Sequence, residues 1–154
     1  MPSEEYKKAY LFLSNKCSKK ELSAKEVLII CSKYKLKIVE KNKLINELKK
    51  NQFIDHLRYA NAFVHDRFNL YFWGKNKIRH HLIQKGIEDY HIAPAIEGID
   101  NEKYKNIVKQ EALKKYKSLG SKHDFNSKQK ILKYLSLKGF EADLSFEVVD
   151  LLMD

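Results

Sequence analysis

Glycine and proline are scarce in this chain of 154 residues, with five of the first and two of the second, and neither occurs between Pro2 and Gly74. A β-protein closes its hairpins with such residues, so this gap excludes an all-β fold built on tight turns. Cys17 and Cys31 are the only cysteines and form no C-x-x-C pair, which excludes a disulfide scaffold and a four-cysteine zinc site. No apolar run approaches the roughly 20 residues of a membrane span, and no apolar segment follows the start as in a signal peptide. The expectation is a soluble, cytoplasmic protein. Catalytic punctuation is missing too. There is no G-x-S-x-G and no Walker-type glycine loop, and no motif sets a base beside either cysteine. The expectation is therefore that the chain is not an enzyme and carries no cofactor.

Acidic charge is also short: 20 Asp and Glu stand against 30 Lys and Arg, a net +10. Residues 1–50 hold 13 Lys/Arg and 6 Asp/Glu, whereas 141–154 hold five acids and no base, so everything before residue 141 is +15. An excess of this size points to a polyanionic partner such as nucleic acid, a nucleoprotein surface or anionic lipid. With 44% apolar residues the chain has enough to bury a core.

Helical spacing recurs at Ala60, Phe63, Val64, Phe68 and Tyr71, at Tyr104, Ile107, Val108, Ala112, Tyr116 and Leu119, and at Phe146, Val149, Leu152 and Met153. The apolar run Val27–Cys31 fits a strand as well as a helix, but Ser23-Ala24-Lys25-Glu26 before it is a capping-box pattern, which selects helix. Asp55 and Ser127 read as N-caps, and Gly86 and Gly139 as helix ends. The fold class is all-α.

The chain also repeats itself. Gly74-Lys75-Asn76-Lys77-Ile78 through Leu82 to Lys85-Gly86-Ile87 lies over Ser127-Lys128-Gln129-Lys130-Ile131 through Leu135 to Lys138-Gly139-Phe140. A fainter copy runs from Ser23 through Val27 and Cys31 to Leu36, with Lys35 in place of the glycine, and Ile54-Asp55 with Tyr59 and Val64 parallels Ile99-Asp100 with Tyr104 and Val108. The unit is three helices in about 50 residues, too small to stand alone, so neighbours must stack. This gives about nine helices in units 1–54, 55–98 and 99–154. Ile78, Leu82, Ile131 and Leu135 should be buried at matching places.

The stretch Ile54-Asp55-His56-Leu57-Arg58-Tyr59-Ala60, followed by Gly74-x-x-x-Ile78-x-x-x-Leu82-x-x-Lys85-Gly86-Ile87, resembles the central signature of the RecX family of recombination regulators. The likeness covers roughly residues 6–152 and is most specific in its middle third. It implies an elongated, curved array of tandem three-helix repeats. It also implies a bacterial, cytoplasmic, non-enzymatic regulator that binds the RecA recombinase filament and usually suppresses its extension, ATP hydrolysis and strand exchange.

Candidate binding residues are the cations of the repeated blocks, Lys75, Lys77, Arg79, Lys85, Lys128, Lys130, Lys133 and Lys138, with Arg58 and Arg67 of the middle signature. The lysines at the second and fourth motif positions should fall in the first turn of their helix. Cations there oppose the helix dipole, so they suit a partner better than the fold. Phe68, Tyr71, Phe72 and Trp73 could form a base-stacking platform beside Arg67, Lys75 and Lys77, but packing at an inter-helix corner is the favoured reading, with Trp73 the most exposed member. His56, His65-Asp66 and Asp100 superficially follow a metal-phosphohydrolase order. His56 and His65 lie about 900° apart on one helix, however, so they diverge, and solvated or interface histidines are the better account. The expected partner is the RecA filament, and single- or double-stranded DNA bound directly is the alternative. No membrane partner is expected, and the protein should be a monomer.

Overall fold

The computed structural model describes residues 2–154. Nine helices and no strand run through them: α1 (Glu4–Lys19), α2 (Ala24–Cys31), α3 (Ile38–Lys50), α4 (His56–Asn69), α5 (Lys75–Gln84), α6 (Asp89–Glu97), α7 (Asn101–Ser118), α8 (Phe125–Lys138) and α9 (Ala142–Met153). The all-α class read from the periodicity and the helix number read from the repeat are those found among the described residues.

Two compact units are present, the first made of Met1–Ala62 and Leu82–Ile92, the second of Phe63–His81 and Ala93–Asp154. In the first unit α1, α2 and α3 pack on one another. Tyr6, Ala9, Leu13 and Cys17 recur at three or four residues along α1 and bury one face of it against Val27 and Cys31 of α2 and Leu44, Ile45 and Leu48 of α3. Full burial of a side chain such as Leu13 or Leu44 contributes about 1.5–3 kcal/mol. Both cysteines are free and buried as small apolar residues, and burial raises both thiol pKa values.

The ambiguous run at Val27 is helical because its start is fully capped. Ser23 Oγ accepts from Glu26 N at 3.2 Å, and Glu26 Oε1 accepts from Ser23 N at 3.0 Å. Asp55 caps α4 as expected, taking the Arg58 N–H at 3.0 Å.

The second unit packs α7, α8 and α9 together. Tyr104, Ile107, Val108 and Ala112 line the buried face of α7, opposite Ile131 and Leu135 of α8 and Val148 and Val149 of α9. Ile78, Leu82, Ile131 and Leu135 are each wholly buried, as the repeat requires. Three sequence expectations fail locally. Ser127 is not the cap of α8: Asp124 accepts from Ser127 N at 2.8 Å and starts the helix three residues earlier. Phe146 belongs to the outer face of α9 and is 51% exposed, because Ser145, Val148 and Val149 fill the inner one. Tyr71 lies beyond the end of α4 and is 54% exposed.

Candidate nucleic-acid interface

The ten cations singled out in the sequence separate into three groups by what holds them. Four are matched to carboxylates. Arg58 Nε donates to Glu21 Oε2 at 2.6 Å, and this bond is the largest cause of its raised pKa. Lys85 stands 3.6 Å from Glu26, Lys128 2.6 Å from Asp150, and Lys138 3.2 Å from the buried Glu111. Lys138 Nζ also donates to the Tyr71 carbonyl at 2.8 Å. These four join chain segments, and their charge is largely cancelled where it stands.

Three others rest on aromatic rings. The Arg67 guanidinium lies 4.6 Å from the ring centre of Phe63, 5.2 Å from Tyr71 and 5.3 Å from Trp73. Lys77 Nζ sits 4.2 Å from the Trp73 ring, and Lys75 Nζ sits 4.6 Å from that of Tyr104. A ring attracts a cation through its quadrupole, by about 0.5–1 kcal/mol at exposed sites, but carries no net charge. The cations are thus positioned without being neutralised. The remaining three, Arg79, Lys130 and Lys133, are exposed, and no ion pair or hydrogen bond engages them among the described residues.

The corner that gathers Arg67, Lys75 and Lys77 is built by the end of α4 and the start of α5. Phe72 N donates to Phe68 O at 3.1 Å and Trp73 N to Arg67 O at 3.0 Å, which folds the chain back past the end of α4. This turn places Phe72 at φ +57°, a left-handed conformation that disfavours any residue with a Cβ. Of the aromatic cluster only Phe68 is core. Trp73 is half-buried against the rings of Phe63 and His81, whereas Tyr71 and Phe72 are exposed, so packing accounts for only part of the group, and Tyr71 rather than Trp73 is its most open member.

The start of α5 is closed by protein groups. Gly74 N donates to Lys138 O at 2.7 Å and Asn76 N to Gly139 O at 2.9 Å, so the carbonyl end of α8 meets the N–H end of α5. Lys75 N donates to the Tyr104 hydroxyl at 3.0 Å. These N–H groups are spoken for, and any anion here must be held by side chains. The same contact changes the dipole argument, since carbonyls of α8 offset the positive end of α5 beside Lys75 and Lys77. At α8 the helix begins at Phe125, which puts Lys128 at the close of its first turn, where it pairs with Asp150, and Lys130 past that turn, so the dipole opposes them little.

A pair of partly buried relays, centred on the buried His56 and Tyr104, escaped the sequence reading. Ala24 N donates to His56 Nε2 at 3.0 Å, and His56 Nδ1 contacts Glu88 Oε1 at 2.6 Å. Because Nε2 accepts, Nδ1 carries the proton. In the second unit, Lys75 N donates to the Tyr104 hydroxyl, which donates in turn to Glu141. Burial is the largest cause of a strongly raised Tyr104 pKa, and the Glu141 bond adds to it. Ala24 and Lys75 are matching motif positions, and Glu88 and Glu141 each follow Lys-Gly-apolar. That recurring glutamate was the available signal. His56 is accordingly buried and structural, not a solvated histidine. No group of three or more His, Cys, Asp or Glu suited to a metal occurs among the described residues, and no helix among them is long and apolar enough to cross a membrane.

Residues 55–96 match the model of the family described as RecX, second three-helix domain. A regulatory protein RecX of Clostridium botulinum (strain Eklund 17B) is 30% identical over 154 residues, covering 84% of this chain and 72% of its own length. One from Clostridium acetobutylicum is 33% identical over 108 residues, covering 68% of this chain and 49% of that one. The crystal structure of RecX from Lactobacillus salivarius shares the fold at a TM-score of 0.86 and 23% identity, with 97% of each chain covered. The chain belongs to the RecX family of regulatory proteins.

Proposed function

We propose that this protein regulates DNA repair and recombination by docking on the RecA nucleoprotein filament and inhibiting its ATPase and strand exchange. The observation that carries the reading is Arg67, held against Phe63, Tyr71 and Trp73 with Lys77 on the same tryptophan and no carboxylate paired with either among the described residues. Cations fixed in place and left uncompensated attract phosphate at long range and lose little side-chain freedom on meeting it. Family membership and the net +10 support the same partner class. In this proposal the protein acts as a cytoplasmic monomer without catalysis or cofactor. Its three-helix units run 1–54, 55–98 and 99–154, and the matched relays at Ala24 and Lys75 favour that division.

The test is RecA ATP hydrolysis on circular single-stranded DNA with this protein titrated in. Inhibition is expected at concentrations far below that of DNA binding sites for RecA. An unchanged rate up to equimolar protein would rule the reading out. The exposed Tyr71 ring beside Arg67 favours a second reading, direct and sequence-tolerant binding of nucleic acid. That reading predicts steep salt dependence on naked DNA and inhibition only when the DNA itself is covered.

A further inference from the structure

The first unit holds a groove of about 460 Å³ that the nucleic-acid reading does not use. Lys16, Lys19, Lys20 and Lys85 stand around it, and Glu26 is the single acid in its lining. Glu26 is already engaged by Lys85 at 3.6 Å and by the Ser23 backbone at 3.0 Å. Lys16 Nζ lies 5.6 Å from the Phe12 ring centre, and Lys16, Lys19 and Lys20 are all exposed with no acidic partner among the described residues. The floor is aliphatic. Leu22 is buried and Ile30 half-buried, whereas Ile29 is 66% exposed on the outer face of α2.

This lining differs in kind from the corner around Arg67. It has no aromatic ring on which a base could stack and no arginine to fork onto a phosphate. Lysines around exposed isoleucine instead complement a surface that brings carboxylates and aliphatic side chains together, in the manner of an amphipathic helix laid in a groove. The excess of seven positive charges in residues 1–50 adds attraction for an acidic segment before contact.

We propose that this groove binds an acidic amphipathic segment of a partner protein, its aliphatic side chains on Ile29 and Ile30 and its carboxylates on Lys16, Lys19 and Lys20. The proposal is independent of whether the second unit binds nucleic acid. The site would make the protein a two-surface reader, one surface for protein and one for nucleic acid.

The probe is a fluorescein-labelled helical peptide of about 18 residues, with leucines at i, i+3, i+4 and i+7 flanked by glutamates. Its scrambled isomer has the same composition and no apolar stripe. Binding to the full chain is read by anisotropy at low salt. The amphipathic peptide should bind, and Ile29→Asn should weaken it roughly tenfold, the loss expected when one exposed isoleucine no longer becomes buried. Lys19→Gln with Lys20→Gln should weaken it at least as much and flatten its salt dependence. All three side chains are solvent-exposed, so melting curves of these variants should match the parent. The second-unit variant Arg67→Gln with Lys77→Gln should bind the peptide unchanged.

Four results overturn the proposal: no binding of the amphipathic peptide, equal binding of the scrambled isomer, indifference to Ile29→Asn, or displacement of the peptide by oligo(dT) of about 20 nucleotides whose own binding needs Ile29 and Lys19. The last would make the groove a nucleic-acid surface.

Discussion

Gly139 and Lys77 meet so closely that a Cβ added to Gly139 would stand 2.6 Å from the Lys77 backbone nitrogen, and nearer still to its Cβ. The glycine also turns the end of α8 at φ +96°. Two requirements therefore coincide, a left-handed conformation and a backbone-to-backbone approach between the end of α8 and the start of α5. Gly86 at the end of α5 shares only the first. Its φ is +79°, but the nearest obstacle is the Lys25 side chain at 3.1 Å.

The contrast gives a prediction. Gly86→Ala should cost about 1–2 kcal/mol, the strain of the left-handed residue. Gly139→Ala should add an overpacking cost of about 1–3 kcal/mol, for a total of about 2–5 kcal/mol. Urea unfolding of the two variants measures the difference, and equal losses would mean that the α8–α5 approach relaxes freely.

Leu82 and Leu135 occupy matching places in the repeated blocks and both are wholly buried. Leu82→Ala and Leu135→Ala should each destabilise by about 2–5 kcal/mol. A loss below about 1 kcal/mol in denaturant melts would show that the site collapses around the smaller side chain.

Glu88 links stability to pH. Burial alone would raise its pKa, but the hydrogen bond from His56 and the other polar contacts outweigh burial and hold it below the usual carboxylate range. A group depressed in the folded state stabilises above its unfolded pKa, about 4.3, and that contribution disappears as pH falls through the lower folded value. Glu88→Gln should therefore be less stable than the parent near neutrality, and the gap should close on acidification below about pH 4.3. A gap that stays constant down to pH 3 would separate Glu88 ionisation from stability. His56→Phe removes the acceptor of the Ala24 N–H and should cost about 1–3 kcal/mol, the price of an unmade buried hydrogen bond.

What the sequence revealed follows from the range of the forces involved. Helices were legible because apolar period, the Ser23–Glu26 capping box and the Lys-Gly ends are local signals, and Ile78 and Ile131 could be matched because the blocks repeat. The sorting of cations was illegible, because neutralisation depends on distant partners. Lys128 finds Asp150 22 residues away and Arg58 finds Glu21 37 residues away. His56 was misread for the same reason, since Glu88 and Ala24 each lie 32 residues from it. Tyr71 and Phe146 continue an apolar pattern past the face that is buried, which periodicity alone does not reveal.

That sorting yields the functional prediction. If uncompensated cations meet the filament, Arg67→Gln with Lys77→Gln should sharply weaken inhibition of RecA ATPase while lowering the melting temperature only modestly, because the pair removes ring contacts and no ion pair among the described residues. Binding to single-stranded DNA should weaken as well, with the slope of log affinity against log salt reduced by roughly 0.7 per lost phosphate contact. Lys128→Gln should do the reverse and in small measure, costing at most about 1 kcal/mol of stability for an exposed pair and leaving inhibition intact. Lys138→Gln should cost more stability than Lys128→Gln, because it leaves the buried Glu111 with the Tyr134 hydroxyl at 3.0 Å but without its cation, and it too should leave the inhibition of properly folded protein unaltered. Should the ion-paired lysines prove as necessary for inhibition as Arg67 and Lys77, charge compensation would not be what selects the contact residues, and the exposed trio Arg79, Lys130 and Lys133 would be the next set to reverse.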